Sequence, residues 1–251
     1  MDENTDCDYC IKELEDGYKY FYLNKNIPLN EKIIKEMEKY DCKVVEFEDE
    51  FNQTVDNLPS KIKQITFGDE FNQPVNNLPS EIEKLYFRRD FNKSVDNLPP
   101  KIKELKFGYY FNQPIDNLPF GLKKLKLEGK FNQSVDNLPL EIQELTFGSN
   151  FNQTVNNLPP KIQKLTFGSN FNQSVDNLPH NIKYLTFGYK FNQPIDNIPC
   201  GVEELTLGEG FNQSLGTNLP KGLKRLTLSK NYTKTIIHIP VSVKIIRNFL
   251  Y

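Results

Sequence analysis

Few residues in this chain combine the type and the spacing that chemistry demands. Cys7 and Cys10 form a Cys-x-x-Cys pair, the spacing of half a zinc knuckle or of a redox dithiol. Zinc needs a second ligand pair, and the other candidates are scattered: Cys42, Cys200, His180 and His238. Nucleophilic catalysis needs a nucleophile with a base beside it. Neither histidine is placed for that role, since His180 falls at a turn position and His238 lies far along the chain. There is no Gly-rich phosphate loop of the usual spacing and no His-Glu-x-x-His. The last candidate is a series of aspartates separated by multiples of twenty residues: Asp56, Asp96, Asp116, Asp136, Asp176 and Asp196. Such a series can offer calcium ligands between stacked coils, or it can close turns. Asn76 and Asn156 stand in the same series, which favours turn formation, because an amide bonds local backbone as a carboxylate does. No catalytic residue, cofactor or metal is expected, and the chain reads as a non-enzyme.

The composition narrows the class further. The 251 residues carry 31 Lys and Arg against 33 Asp and Glu, a net charge of -2. That balance argues against a polycation built for nucleic acid or a membrane surface. Apolar residues at 37% and aromatics at 12% suffice for a core. The chain has no Ala and 29 Asn, and a helical protein without its best helix former is not expected. The start is acidic and polar, so no signal peptide is expected. No apolar run approaches ~18 residues, so neither is a membrane span. Few, scattered cysteines suit a reducing compartment, and the expected location is the cytoplasm.

What must position any site is a repeat. FNQTVDNLPSKIKQITFGDE starts at Phe51, and copies start at Phe71, Phe91, Phe111, Phe131, Phe151, Phe171 and Phe191 without a gap. A ninth starts at Phe211 with one extra residue near Gly216 and Thr217, and a degraded tenth starts at Tyr232. In the first copy the apolar positions are Phe51, Val55, Leu58, Ile62, Ile65 and Phe67. Six such residues cannot enclose a core within one unit, but stacked units turn each position into a column. The last part of Ile62 to Phe67 alternates as a short strand does. Gly68 permits a sharp bend. Pro59 rules out helix interior, and Asp56 and Asn57 form turns. Each unit is one strand, a turn, an extended return and another turn. About ten coils, ~4.8 Å apart, build a solenoid with one parallel β-sheet.

The stretch L-P-x-x-I-x-x-L-x-F, from Leu58 to Phe67 and in later copies, resembles the leucine-rich repeat. The whole unit F-N-Q-x-V/I-D-N-L-P looks like the FNIP repeat, a leucine-rich-repeat relative of social amoebae and giant viruses. The match covers residues 51–231. The resemblance implies a leucine-rich-repeat-like fold and, for a viral source, the host cytoplasm. It also implies a substrate-recognition adaptor of a ubiquitin ligase, although no F-box pattern precedes the repeats. One departure concerns Asn. The column where a standard leucine-rich repeat has an inward Asn reads Glu70, Asp90, Tyr110, Lys130, Asn150, Asn170 and Lys190. An amide ladder is expected instead at Asn52 and its copies, or at Asn57 and its copies.

Column ends need covers. Residues 1–42 are expected to form an N-terminal cap of hairpin and helix. The hairpin would turn at Asp16-Gly17. The helix would run from Asn30 as N-cap to Tyr40, with Ile33, Ile34, Met37 and Tyr40 on its apolar side. Residues 43–231 form the solenoid, and residues 232–251 the degraded last repeat and C-terminal cap.

Where the repeat breaks its own rule, a binding surface is expected. Strand position 16 is Thr at 66, 146, 166, 186, 206 and 227, but Tyr86, Lys106 and Lys126 in the middle. Position 18, usually Gly, becomes Arg88 and Glu128. Arg89, Tyr109, Tyr110, Lys124 and Lys130 join them on or beside one face. Tyr and Arg are enriched at binding hot spots. The expected partner is a protein with an acidic surface, held by a monomer, with nucleic acid disfavoured by the overall charge. The competing reading is a structural, self-assembling element.

Overall fold

The computed structural model of the protein describes residues 8–15, 17–215, 219–236, 239 and 242–248. They form a repeat solenoid of the leucine-rich-repeat type. Its thirteen strands make one sheet in chain order, β1 to β13. The hairpin strands are β1 (Tyr9–Glu13) and β2 (Lys19–Leu23), paired antiparallel from Tyr9↔Leu23 to Glu13↔Lys19. From β2 onward every pairing is parallel. Gly17, at φ 81°, donates its N–H to the Leu14 carbonyl and closes the hairpin turn. Asp16 lies outside the described residues.

The helix α1 (Glu31–Lys39) connects β2 to β3 (Cys42–Phe47). Its N-cap is Asn30, whose Oδ1 accepts the Ile33 N–H at 3.0 Å, satisfying one otherwise orphaned donor. Ile33 and Met37 are buried against the core. Tyr40, expected on the apolar side, is exposed. It is the C-cap, and the chain turns away from the helix at Asp41, whose φ is 50°. The strand at the sheet's first edge is β1, and the helix lies one connection inward.

The coil strands are β4 (Gln64–Phe67), β5 (Lys84–Phe87), β6 (Glu104–Phe107), β7 (Lys124–Leu127) and β8 (Glu144–Phe147). They continue as β9 (Lys164–Thr166), β10 (Tyr184–Thr186), β11 (Glu204–Thr206), β12 (Arg225–Ser229) and β13 (Lys244–Asn248). Pairs such as Ile65↔Leu85 join residues one repeat apart. At β12 the pairing is Glu204↔Arg225, so the extra residue of the ninth unit is taken up outside the strand. The six apolar columns are buried as their spacing predicts: Phe51, Val55, Leu58, Ile62, Ile65 and Phe67, and their counterparts in the copies starting at Phe71 to Phe191.

Two phenylalanine columns run up the core. Within a coil Phe67 and Phe71 stack at 3.8 Å, and from coil to coil Phe51 and Phe71 stack at 6.1 Å. The column of Phe51 continues to Tyr232, stacked on Phe211 at 6.0 Å. At the far end Ile245 occupies the inward register of Leu226 but is 40% exposed, because no described coil covers it. Of the expected C-terminal cap, Ile237, Phe249 and Leu250 lie outside the described residues.

The glycine column owes its residue type to close approach, not to a bend. A Cβ on Gly108 would lie 1.7 Å from the Arg88 carbonyl oxygen, and one on Gly168 would lie 2.1 Å from that of Gly148. Neither glycine has positive φ. The two Asn columns are also distinguished. Asn52 and its copies up to Asn192 are half-buried, and each Oδ1 accepts the backbone N–H of the next copy, as Asn132 does from Asn152 at 2.8 Å. The column of Asn57 is exposed; there Asn77 Nδ2 donates to Asp56 Oδ1 at 3.1 Å. Asn156 replaces Asp as acceptor for Asn177 at 3.2 Å, so carboxylate and amide are interchangeable in this column. No group of His, Cys, Asp or Glu among the described residues is placed to hold a metal ion.

Candidate functional site

Each coil strand turns one set of side chains into the core, so the alternate set faces outward. The outward residues form two columns. One alternates in charge, in register: Lys84↔Glu104, Glu104↔Lys124, Lys124↔Glu144 and Glu144↔Lys164. The ammonium of Lys124 lies 2.8 Å from the Glu144 carboxylate. Opposite charges across neighbouring strands support pairing in this order.

The second column holds the departures from Thr. Lys106 and Lys126 stand side by side in register, an arrangement that costs free energy unless compensated. Both reach Glu128, at 3.3 and 2.7 Å. Burial pushes the Glu128 carboxyl up, but Lys126 and Lys106 outweigh it and hold the group below the usual carboxylate range. Tyr86 adjoins them on β5. Burial raises its phenol, and the Glu104 carboxylate adds to the shift. Tyr86, Lys106, Lys124 and Lys126 line one cavity of about 300 Å³ with Glu104 and Glu144.

The other five predicted residues lie elsewhere. Arg88 points back across one coil to Glu46, at 2.8 Å, and to Asp49. Arg89 is paired with the adjacent Asp90 at 2.9 Å. Tyr109 and Tyr110 meet edge to face at 5.0 Å, and the Lys130 ammonium lies 4.4 Å from the Tyr110 ring centroid. Gly129 makes this packing possible: its φ is 52°, and a Cβ there would strike the Tyr109 ring and backbone. Tyr110 and Lys130 line a polar cavity of about 570 Å³ with Asn92, Asn112 and Asn132. The nine residues therefore form a sheet-face group of four, a turn group of Arg89, Tyr109, Tyr110 and Lys130, and Arg88 tied to one earlier coil. Most of their positive charge is matched by carboxylates within the chain.

Two features escaped the sequence reading. Leu14, Tyr18, Tyr20 and Val44 line a cavity of about 320 Å³ with Lys63, Gln64, Glu83 and Lys84, where the hairpin meets the first coils. Only tertiary structure brings the hairpin there. The second feature was visible in sequence. Position 10 of the repeat reads Ser60, Ser80, Pro100, Phe120, Leu140 and Pro160, and Phe120 and Leu140 are 79% and 66% exposed. Apolar residues in a column that starts as Ser were the signal.

The FNIP Repeat family model matches residues 51–90, 71–110, 91–130, 131–170 and 171–210. Among solved structures, the chain is similar to CroV588, a giant-virus protein described as a novel circular LRR protein, with 37% identity and a TM-score of 0.75. That match covers 82% of this chain and 33% of the other, so this chain spans about a third of that protein's length. YopM from Yersinia enterocolitica matches with 17% identity and a TM-score of 0.41, over 90% of this chain and 63% of its own. No curated protein matches. Among the described residues no helix is long and apolar enough to cross a membrane.

Proposed function

The chain belongs to the FNIP repeat family, and on that premise we propose that it is a non-enzymatic protein-interaction module whose partner sits on the outward sheet face. The solenoid of residues 43–231 is the binding body, and residues 1–42 and 232–251 are its ends. Repeat solenoids offer extended rigid surfaces of this kind. The observation that carries the reading is Lys106 and Lys126, in register beside Tyr86 and sharing the single carboxylate of Glu128. Two ammonium groups with one counter-ion leave one positive charge for a partner's Asp or Glu. Tyr86 supplies amphipathic contact area next to it. The partner is thus a protein with an acidic surface, bound by a monomer. The free thiols of Cys10, Cys42 and Cys200 support placing it in the cytoplasm.

Restoring the Thr column tests this. Tyr86→Thr, Lys106→Thr and Lys126→Thr together keep the residue type that neighbouring coils already use. In affinity capture from the natural cell, the wild-type chain should retain a partner that the triple variant releases. Both should melt at nearly the same temperature. Equal retention by the two chains would remove the sheet face from the binding surface.

A further inference from the structure

The amide ladder leaves one atom of each rung unused. Asn92 Oδ1 accepts the Asn112 N–H at 2.9 Å and Gln113 Nε2 at 3.1 Å. Asn112 Oδ1 accepts the Asn132 N–H at 2.9 Å, and Asn132 Oδ1 accepts that of Asn152. A backbone N–H can only donate, so these bonds fix which end of each carboxamide is oxygen. The Nδ2 groups of Asn92, Asn112 and Asn132 have no acceptor among the described residues, and they are not buried. All three residues line the polar cavity of about 570 Å³, with Tyr110, Lys130 and Asn170. The Lys130 ammonium sits over the Tyr110 ring and has no carboxylate partner among the described residues. The cavity thus presents a row of unspent donors beside one unspent positive charge. The ladder already holds the donors in place, so they lose little freedom on binding.

We infer that this groove, separate from the sheet face, binds an extended segment of another protein lying along the solenoid axis. Its backbone carbonyls accept from Asn92, Asn112 and Asn132, and an Asp or Glu of the segment meets Lys130. The donors select the occupant. A helix spends its carbonyls on its own N–H groups and leaves the row unanswered. An extended segment shows carbonyls along one edge at every second residue, ~6.6–6.8 Å apart. The Phe91, Phe111 and Phe131 rings, each one residue before an amide of the row, follow one another at 6.1 Å. Centred on Asn112, the two rows differ by about 0.5 Å at either end, which matches the spread of N–H···O distances. A nucleic-acid strand would need cations along its phosphates, but Arg89, the other cation of this turn, is paired with Asp90. A base or a sugar ring would need an open aromatic face to stack on. Tyr110 already holds Lys130 over its ring and meets Tyr109 edge to face. Main-chain hydrogen bonds then give affinity and the charged side chain gives selectivity, as in other extended-peptide recognition.

The test uses the full chain and a displayed library of random linear peptides about 10 residues long, which when extended outreach the three rungs. Binders selected on the wild-type chain are then measured on Asn112→Asp, which keeps the ladder oxygen and removes the outward donor. The expected loss in affinity is at least about tenfold. Ester replacement of single peptide bonds, which weakens one carbonyl acceptor at a time, should cut affinity with a period of two residues. That scan is read on the wild-type chain, so it stands whatever Asn112→Asp does to stability. An Asp or Glu of the selected peptides should matter on the wild-type chain and cease to matter on Lys130→Gln. Binding to the Tyr86→Thr, Lys106→Thr, Lys126→Thr variant should be unchanged, which separates this inference from the sheet-face reading. The inference is overturned if no selected peptide depends on Asn112 and Lys130, or if the dependent ones gain helix on binding. It is equally overturned if the ligand that needs Asn112 comes from a glycan array or is single-stranded oligo-dT.

Discussion

Arg88 reaches Glu46 across an intervening coil: its Nη2 lies 2.8 Å from Oε1 of a residue on the second strand away. The coil it crosses carries Gly68 at the equivalent position. The same guanidinium reaches Asp49. A residue set apart as a partner contact is therefore an internal tie between two coils, made across a third.

Reversing that charge should destabilise the fold itself. Arg88→Glu brings a third carboxylate to Glu46 and Asp49 and should lower the melting temperature, more at low salt than at high salt. Arg88→Gly, which restores the residue of most other coils, should cost at most about 1 kcal/mol, because the pair is part-exposed. Thermal melts of both variants at two ionic strengths check this; equal melting of Arg88→Glu and wild type would show that the tie contributes nothing.

Phe131→Ala should destabilise the chain by about 3–5 kcal/mol, as for a buried phenylalanine. Phe131 is 1% exposed and stacks on Phe111 at 6.1 Å and Phe151 at 6.2 Å. Its own coil offers Leu127 where most coils offer Phe, so few neighbours can move into the gap. Denaturant unfolding measures the loss, and a cost under ~1 kcal/mol would mean that the stack recloses around the site.

The amide ladder should distinguish Ala from Asp. Asn132 Oδ1 accepts the N–H of Asn152 at 2.8 Å. Asn132→Ala leaves that half-buried donor without its acceptor, at about 1–3 kcal/mol. Asn132→Asp keeps an oxygen in place and should cost less. Equal unfolding free energies for the two variants would sink the ladder as a stabilising device.

Acid should erase the contribution of Glu128. Its folded-state pKa is lowered, opposed by burial but driven down by Lys126 and Lys106. A carboxylate of that kind stabilises the fold fully above its unfolded value of about 4.3. The contribution is lost as pH falls through the lower folded value. Wild type should exceed Glu128→Gln by a constant margin above pH about 5, and by a shrinking one below pH about 4. The margin should stay under about 1 kcal/mol, since the group is a third exposed. Unfolding curves at several pH values check it; a margin growing toward acid would refute the sign.

The twenty-residue period, the six buried columns and the strand of each unit are all legible in the sequence. They depend on local spacing repeated many times, and stacking converts spacing directly into burial. Position 10 was equally legible, through Phe120 and Leu140, once its residues were compared as a column. The amide ladder was half legible: Asn recurs at both Asn52 and Asn57, and nothing in a linear pattern says which amide meets an adjacent backbone N–H.

What the sequence by itself determined is the stack of coils, because every unit buries the same six apolar side chains and none can do so alone. What only the tertiary structure decided is which charges meet. Glu128 serves two lysines on adjacent strands, Arg88 passes over a glycine to reach Glu46, and Lys130 lies against Tyr110 rather than on the sheet. These partners are 2 to 42 residues apart in sequence. Their meeting depends on strand register, on which side of the sheet a side chain leaves, and on where a missing side chain opens a path. None of those is carried by residue type at one position, so a run of basic and aromatic residues that reads as one patch becomes two clusters and a tie.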